Sequence, residues 1–335
     1  MELTSANVLL LAIGGLALGI VMLVRGGGWT IDACVYLARS YGISHLLIGF
    51  TIIAFGTSLP ELVVSINANI NGSPGIVMGN IVGSNIANIL MVIGATALVA
   101  TLHVLPRDIA RDLSMMIVAS FILLGLLLYG HISGLAGLAM LALLVAYVMW
   151  QYRLALQGDI DIEAAEAHEF ASPRNAVFFL VLGLAFITIG AEYMVRGAQI
   201  SADLLGVPES VIALSIIAFG TSLPELATCM TAAARKQGEL IIGNILGSNV
   251  FNILMILGVT ALVKPLGADA ISDQMMQLDI WFMLGVSLVF ALLLVARRKV
   301  GFVSGIIFLI AYVGYIVTLY ALYFGNMVEK AGSMG

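Results

Sequence analysis

The chain has 335 residues, of which 61% are hydrophobic and 10% charged, with a mean hydropathy of +1.10 and a formal net charge of −5 at pH 7. No globule of this size has enough interior to hide so much apolar surface, so the composition excludes a soluble domain and gives a polytopic membrane protein. Its two cysteines, Cys34 and Cys229, have no metal-site spacing and need no disulfide to explain them.

A helix needs about 20 apolar residues to cross a bilayer. By that measure the sequence predicts spans at 7–24, 44–70, 75–99, 112–130, 133–151, 175–194, 207–233, 240–264, 275–296 and 301–324, ten helices in all. The first follows Glu2 rather than a basic stretch, and it is expected to be a retained span, not a cleaved signal. Segments 28–41 (Asp32, Arg39) and 192–205 (Arg196, Asp203) carry charges at helical spacing and are predicted to lie as amphipathic helices at the interface. Only 154–174 forms a sizeable polar loop. Its Asp159, Asp161, Glu163, Glu166 and Glu169 raise the question of calcium sensing, but the glycine of an EF-hand loop is missing, and the segment reads as a solvated acidic linker.

Residues Ala54 to Glu61, AFGTSLPE, recur letter for letter at Ala218 to Glu225, a shift of 164 residues. The same shift matches Gly19 with Gly183, Gly26 with Gly190 and Gly42 with Gly206. It also aligns Gly79–Gly94 with Gly243–Gly258 at 11 of 16 positions, too dense a match for chance. Each half holds five spans. An odd number makes the second copy enter the membrane from the opposite side, so the repeats are predicted to be inverted, as in many secondary transporters. The expected organisation is a first repeat at 1–153, an acidic cytoplasmic linker at 154–174 and a second repeat at 175–335.

With ten spans, 11 basic residues fall on one side: Arg25, Arg39, Arg107, Arg111, Arg153, Arg174, Arg235, Lys236, Arg297, Arg298 and Lys299. Only Arg196, Lys264 and Lys330 fall on the other. The richer side is expected to be cytoplasmic, which puts both termini and the 71–74 turn outside.

Both copies of the motif lie within apolar segments, where an ionisable side chain is costly and marks an ion or substrate pathway. Pro60 offers no amide hydrogen, and its ring crowds the carbonyl of Gly56, so the helix is predicted to break there. Carbonyls freed at membrane depth are tolerated where they are buried in protein or line a wet cavity, and there they can coordinate cations. Thr57, Ser58 and Glu61 follow within about one turn, with Thr57 and Glu61 four apart on one face. Thr221, Ser222 and Glu225 repeat the set from the other direction. A lone proline kink would be weak testimony, but kinking alone would not require the same carboxylate twice.

The next span of each half carries GNIVGSNIAN (Gly79–Asn88) and GNILGSNVFN (Gly243–Asn252). Gly79 with Gly83, and Gly243 with Gly247, are small-xxx-small pairs that let helices approach closely. Ser84 and Asn88, like Ser248 and Asn252, stand four apart and are expected to complete an oxygen shell. Asn80, Asn85, Asn244 and Asn249 either ligate or bond the broken helices. Without histidine or thiolate at the repeated positions, soft metals are disfavoured. Two carboxylates suit one divalent ion or two monovalent ions, and flexible oxygen coordination favours calcium over magnesium. Cys229 has Ser65 as its counterpart and reads as packing.

These paired motifs resemble the alpha repeats of the sodium/calcium exchanger family, within the cation/calcium antiporter superfamily, and the likeness extends over nearly the whole chain. The resemblance implies an all-α membrane protein of two inverted five-helix repeats with a diamond of cation sites at the midplane. It implies that Glu61 and Glu225 bind calcium together with the carbonyls of Thr57 and Thr221. Sodium would use Ser58, Ser84, Ser222 and Ser248 with the carbonyls of Ala54 and Ala218. One departure bears on ion choice, because several members carry an aspartate where this chain has Asn252, the counterpart of Asn88. Proton/calcium exchangers of the superfamily tend to carry an extra acid in the GN segment, which is absent here and favours sodium.

The expected mechanism is antiport of Ca2+ against Na+ by alternating access, with the glycine-rich turns at Gly26–Gly28 and near Gly190 joining the moving parts. Ca2+ and Na+ are expected as bound substrates, with no further cofactor. The bilayer is the expected surroundings, with no nucleic acid and no obligate protein partner. The short loops point to a prokaryotic inner membrane. The alternatives are proton/calcium exchange and a cation channel. An intramembrane enzyme is disfavoured by the lack of HExxH and of a Ser/His arrangement.

Overall fold

A computed structural model describes residues 5–155, 170–204 and 218–333. Nearly all of these are helical: α1 Ser5–Tyr41, α2 His45–Thr57, α3 Leu59–Ile70, α4 Pro74–Val99, α5 Pro106–Tyr129 and α6 Gly134–Ala155. The second half continues with α7 Pro173–Leu204, α8 Ala218–Thr221, α9 Leu223–Ala234, α10 Gly238–Val263, α11 Met275–Arg297 and α12 Phe302–Ser333. Proline opens α4, α5 and α7, where its missing N–H costs nothing. For this reason α5 begins six residues before the apolar run at 112–130.

Among the described residues, nine spans are long and apolar enough to cross a membrane, counting α2 with α3 as one bent span. Of the expected span 207–233, residues 207–217 lie outside the described residues, and so do all five acids of the 154–174 loop. The core sits around α4 and α10. The most apolar stretch of α10 is 100% buried, whereas that of α12 is 17% buried and faces outward.

The interfacial helices do not separate. Residues 28–41 continue α1 as one helix of 37 residues, and 192–204 continue α7 in the same way. At 1.5 Å per residue α1 is about 55 Å long, well beyond a hydrocarbon core of about 30 Å, so it must tilt or project. Packing explains the continuity. Ile31, Ala33, Cys34 and Val35 are buried in the bundle, and Trp29 meets Phe179 and Phe186 edge-on at 5.9 and 5.0 Å. The glycines expected to form turns are helical and serve close approach instead.

A Cβ at Gly19 would stand 2.6 Å from the carbonyl of Gly190, and one at Gly26 would stand 2.6 Å from the carbonyl of Gly183. Gly197 approaches the carbonyl of Ala12 in the same manner, with 2.7 Å to a Cβ. Helices α1 and α7 thus run antiparallel in backbone contact, a distance that only glycine permits.

Two short strand contacts tie the connections together. Strand β1, Leu102–His103, pairs antiparallel with β2, Lys299–Val300, and Ile132 bridges Leu266 between two other connections. Leu102, Val300, Ile132 and Leu266 are all buried.

The α1–α7 contact yields a direct test. Gly26→Leu should destabilise the protein by about 1–3 kcal/mol through overpacking. Gly14→Ala, where nothing lies within 4 Å, should stay within about 0.5 kcal/mol of the parent. Thermal unfolding in detergent measures both, and equal melting of the two variants would refute the contact.

Candidate cation site

The predicted break is present in both halves. Ser58 (φ −86°, ψ 1°) interrupts α2 and α3, and Ser222 (φ −89°, ψ 4°) interrupts α8 and α9, the same local geometry twice. Pro60 and Pro224 stand in the first turn of the helix that follows, where proline is tolerated. Helices α2 and α3 are bent by 41°. One helix, α7, covers both breaks: Leu184 packs on Gly56 and Val195 on Gly220.

The motif side chains lie in the interior. Thr57, Ser58, Glu61, Ser84, Asn88, Ser222, Glu225, Ser248 and Asn252 are all buried. Thr221 is partly buried, and Ala218 is described through its backbone as the first residue of α8. The Ala54 carbonyl accepts from Ser58 N at 3.1 Å and from Thr57 Oγ1 at 3.5 Å.

Several of these buried groups have no hydrogen-bond partner among the described residues. They are both carboxylate oxygens of Glu61 and of Glu225, the hydroxyls of Ser58, Ser222 and Ser248, Asn88 Oδ1 and both polar atoms of Asn252. The Glu225 carboxylate faces the hydroxyls of Thr57 and Ser248 without hydrogen-bond geometry to either, and it lies within electrostatic reach of Glu61. Interiors rarely leave polar groups unpaired, and so many in one place are the mark of a ligand site. The donors are oxygens, apart from one amide nitrogen. Among the described residues no group of three or more His, Cys, Asp or Glu could hold a metal, so any cation here must also use hydroxyl, amide and carbonyl oxygen. Such a shell suits hard cations.

The four remaining asparagines bond the protein. Asn80 donates to the Glu61 carbonyl at 3.1 Å and to Ser65 Oγ at 2.9 Å, tying α4 to α3 beside the carboxylate. Its counterpart Asn244 donates to Cys229 Sγ at 3.3 Å, so this thiol is an acceptor as well as packing. Asn85 donates to the Ile81 carbonyl at 2.7 Å. Asn249 donates to Met116 Sδ at 3.6 Å and accepts from Asn88 Nδ2 at 3.1 Å. The glycines of the second copy work as expected, since Gly243 packs against Leu46 and Phe50, and Gly247 against Phe50 and Ala54. Gly79 and Gly83 have no such neighbour among the described residues. The stretch that matches Leu46–Ala54, residues 210–218, lies almost wholly outside them.

Two features had no sequence signal. A π-helical turn starts at Asn88 (Asn88–Ile93) and another at Asn252 (Asn252–Ile256). Such turns recur at functional sites, where they re-aim side chains. Away from the site, two buried acids are bonded by tyrosines of the neighbouring helix, Asp112 by Tyr147 at 2.6 Å and Asp279 by Tyr315 at 3.0 Å. A cavity of about 1520 Å³ at one end of the bundle, lined among others by Ser44, His103, Arg107, Lys236 and Arg298, includes none of the motif residues.

Comparison with known proteins agrees with this chemistry. The sodium/calcium exchanger protein family model matches residues 11–153 and 175–321. The putative antiporter CaxA of Alkalimonas amylolytica is 36% identical over 321 residues, covering 90% of this chain and 97% of the relative. The inner membrane protein YrbG of Escherichia coli is 34% identical over 292 residues, covering 85% and 89%. The sodium-calcium exchanger NCX_Mj, in a structure soaked with 10 mM Na+ and 10 mM Sr2+, superposes with a TM-score of 0.79 at 31% identity, covering 92% of this chain and 98% of that one. The chain is therefore a polytopic helical membrane protein that belongs to the sodium/calcium exchanger protein family.

Proposed function

We propose that this protein exchanges Ca2+ for Na+ across a membrane, by alternating access to one site built from Glu61, Thr57, Ser58, Ser84, Asn88 and Ala54 with Glu225, Thr221, Ser222, Ser248, Asn252 and Ala218. The observation that carries the proposal is the pair of fully buried glutamates, brought together from the two halves and without a hydrogen-bond partner among the described residues. Two such charges cost several kcal/mol each when left bare in an apolar interior. Either one Ca2+ or Na+ ions can neutralise them, and an empty site resists the transition. That coupling is what exchange requires, and it separates an exchanger from a channel or an enzyme.

An inverted arrangement of ten spans supports both routes to the site. The contact of Gly19 with Gly190 becomes that of Gly26 with Gly183 when each residue is replaced by its counterpart 164 positions away. The paired breaks at Ser58 and Ser222 follow the same rule. The repeats are then 1–153 and 175–335, joined by a cytoplasmic linker at 154–174. Sodium as the coupling ion is supported by the absence of a further acid in the GN segments, where this chain has Gly83, Ser84, Gly247 and Ser248. Placement in an inner membrane rests on the likeness to YrbG.

Purified protein in liposomes decides the substrate and the coupling ion together. Calcium-45 uptake should follow an imposed Na+ gradient and ignore a pH gradient of equal driving force. Uptake driven by pH alone would make the protein a proton/calcium exchanger.

Glu61→Gln and Glu225→Gln retain size while removing charge. Each should lower exchange more than about tenfold, equivalent to ~1.4 kcal/mol in ion binding. Thermal stability should hold or rise, because an amide is cheaper to bury than an ion. Near-normal flux in either variant would make that glutamate structural.

The orientation predicts opposite labelling at two equivalent turns. Ser73→Cys should react with an impermeant maleimide from outside the cell and Ala234→Cys only from inside. Both positions are exposed, and the native Cys34 and Cys229 are buried. The reverse pattern would invert the topology.

A further inference from the structure

Helices α1 and α7 are bound to each other along their length through the glycine contacts described above, and together they lean to one side of the molecule. Gly27 of α1 approaches α9 so closely that a Cβ would lie 2.5 Å from Thr231 Oγ1. Gly28 lies beside Arg235, at 3.3 Å from its Nη2 to a Cβ. From α7, Ala191 clusters with Leu23, Ile187 and Leu223, the last on α9. The opposite contact is missing. The residues of α3 that match Ala227 and Thr231 are Val63 and Asn67, and both are exposed. Among the described residues, α7 makes no approach to α3 comparable with that of α1 to α9. The α1–α7 pair therefore covers the half of the membrane spanned by α9 and leaves the half spanned by α3 open.

At the end of the closed side, Arg235 forms an ion pair with Asp32 of α1, the two side chains being 35% and 24% exposed. This contact is absent from the repeat. The counterpart of Asp32 is Arg196 and that of Arg235 is Asn71. Arg196 pairs instead with Glu192 of its own helix. If α1 and α7 shifted to cover α3, the matching positions would bring an arginine to an asparagine, and no ion pair would form.

We propose that Asp32 and Arg235 form a one-sided latch that holds the α1–α7 pair against α9, so that the transport cycle favours the state closed at the α9–α10 turn. The proposal rests on the alternating-access reading, in which these two coverings are the two states. Asp32 and Arg235 touch no ion at the carboxylate site and act by positioning. The latch sets how often each face opens and leaves the coordination shell alone.

Thiol labelling in detergent tests this without any flux measurement. Thr231 is partly buried against Gly27, so Thr231→Cys should react slowly with a maleimide while the α1–α7 pair is docked and faster when it departs, and its rate reports the balance between the two. Asp32→Asn in that background should raise the rate about threefold, as expected for a partly exposed ion pair. Asn67→Cys, already uncovered, should react no faster with Asp32→Asn than without it. Mere loosening would speed both positions. The exchanged pair Asp32→Arg with Arg235→Asp should restore slow labelling, and 0.5 M choline chloride should speed Thr231→Cys in the parent but not with Asp32→Asn. Arg196→Gln should change neither rate. An unchanged Thr231→Cys rate, a parallel rise at Asn67→Cys, or an equal effect of Arg196→Gln overturns the latch. Calcium-45 flux in the same proteins fails separately if the proposed exchange is wrong.

Discussion

Two carboxylates are buried without a hydrogen-bond partner among the described residues, and the rest of the architecture answers to that constraint. A bare ion in an apolar interior is unstable by several kcal/mol. Glu61 and Glu225 can coexist at 1% exposure each only if something else supplies positive charge or dipoles, or if protons neutralise them. The broken helices, the serine hydroxyls and the cross-linked asparagines surround them with oxygens and fixed dipoles, but with no fixed cation. Had a lysine or arginine been built beside the glutamates, the pair would be a stable salt bridge with no use for a transported ion. The site is left incomplete by the protein's own groups, which is what the proposed exchange of a mobile cation requires.

Holding such a site open takes rigidity close by. Asn80 grips the backbone of Glu61, and the Asn88–Asn249 bond joins the two halves at the level of the second motif. Gly243 and Gly247 bring α10 within backbone contact of α2, which fixes the first break against the most deeply buried helix. Apolar packing is close to neutral between helices and lipid, so these short contacts and hydrogen bonds carry much of the association. The strand pair Leu102–Val300 and the bridge Ile132–Leu266 add restraint between connections from the two halves.

Much of this was legible because the sequence says it twice. The break at Ser58, the second break at Ser222 and the convergence of Glu61 with Glu225 follow from proline chemistry and the cost of burying charge. The ends of the helices were not legible. Charges such as Asp32 and Arg196 at helical spacing read equally as an interface helix or as the tail of a long span. Only the tertiary partners, Arg235 for the one and Glu192 for the other, decide between them. Glycine was ambiguous in the same way: Gly26–Gly28 suits a turn or a backbone contact, and the choice lies in α7, more than 150 residues away. The π-helical turns at Asn88 and Asn252 both fall on the repeated tetrapeptide NILM, whose composition carries no propensity signal for such a turn.

Duplication also explains where function can be tuned. On the alternating-access proposal, two identical inverted halves would give two states of equal energy, with each face opening as often as the other. This chain departs from identity at the rim as it does along most of the spans outside the motifs. Asn69 donates to the carbonyls of Thr260 and Lys264 and accepts from Lys264 Nζ at 3.2 Å, a clamp whose matching residues, Ala233 and Ala100, cannot form it. Asp32 and Arg235 form a contact on the opposite face that Arg196 and Asn71 cannot repeat. Within the motifs, Thr57, Ser58 and Glu61 match Thr221, Ser222 and Glu225 letter for letter. Under the proposed exchange, changes at the carboxylate site would alter which ion binds, whereas changes at the rim would alter the balance between the two states. A repeat that keeps the first and varies the second would then adjust the preferred direction of opening without disturbing ion selectivity.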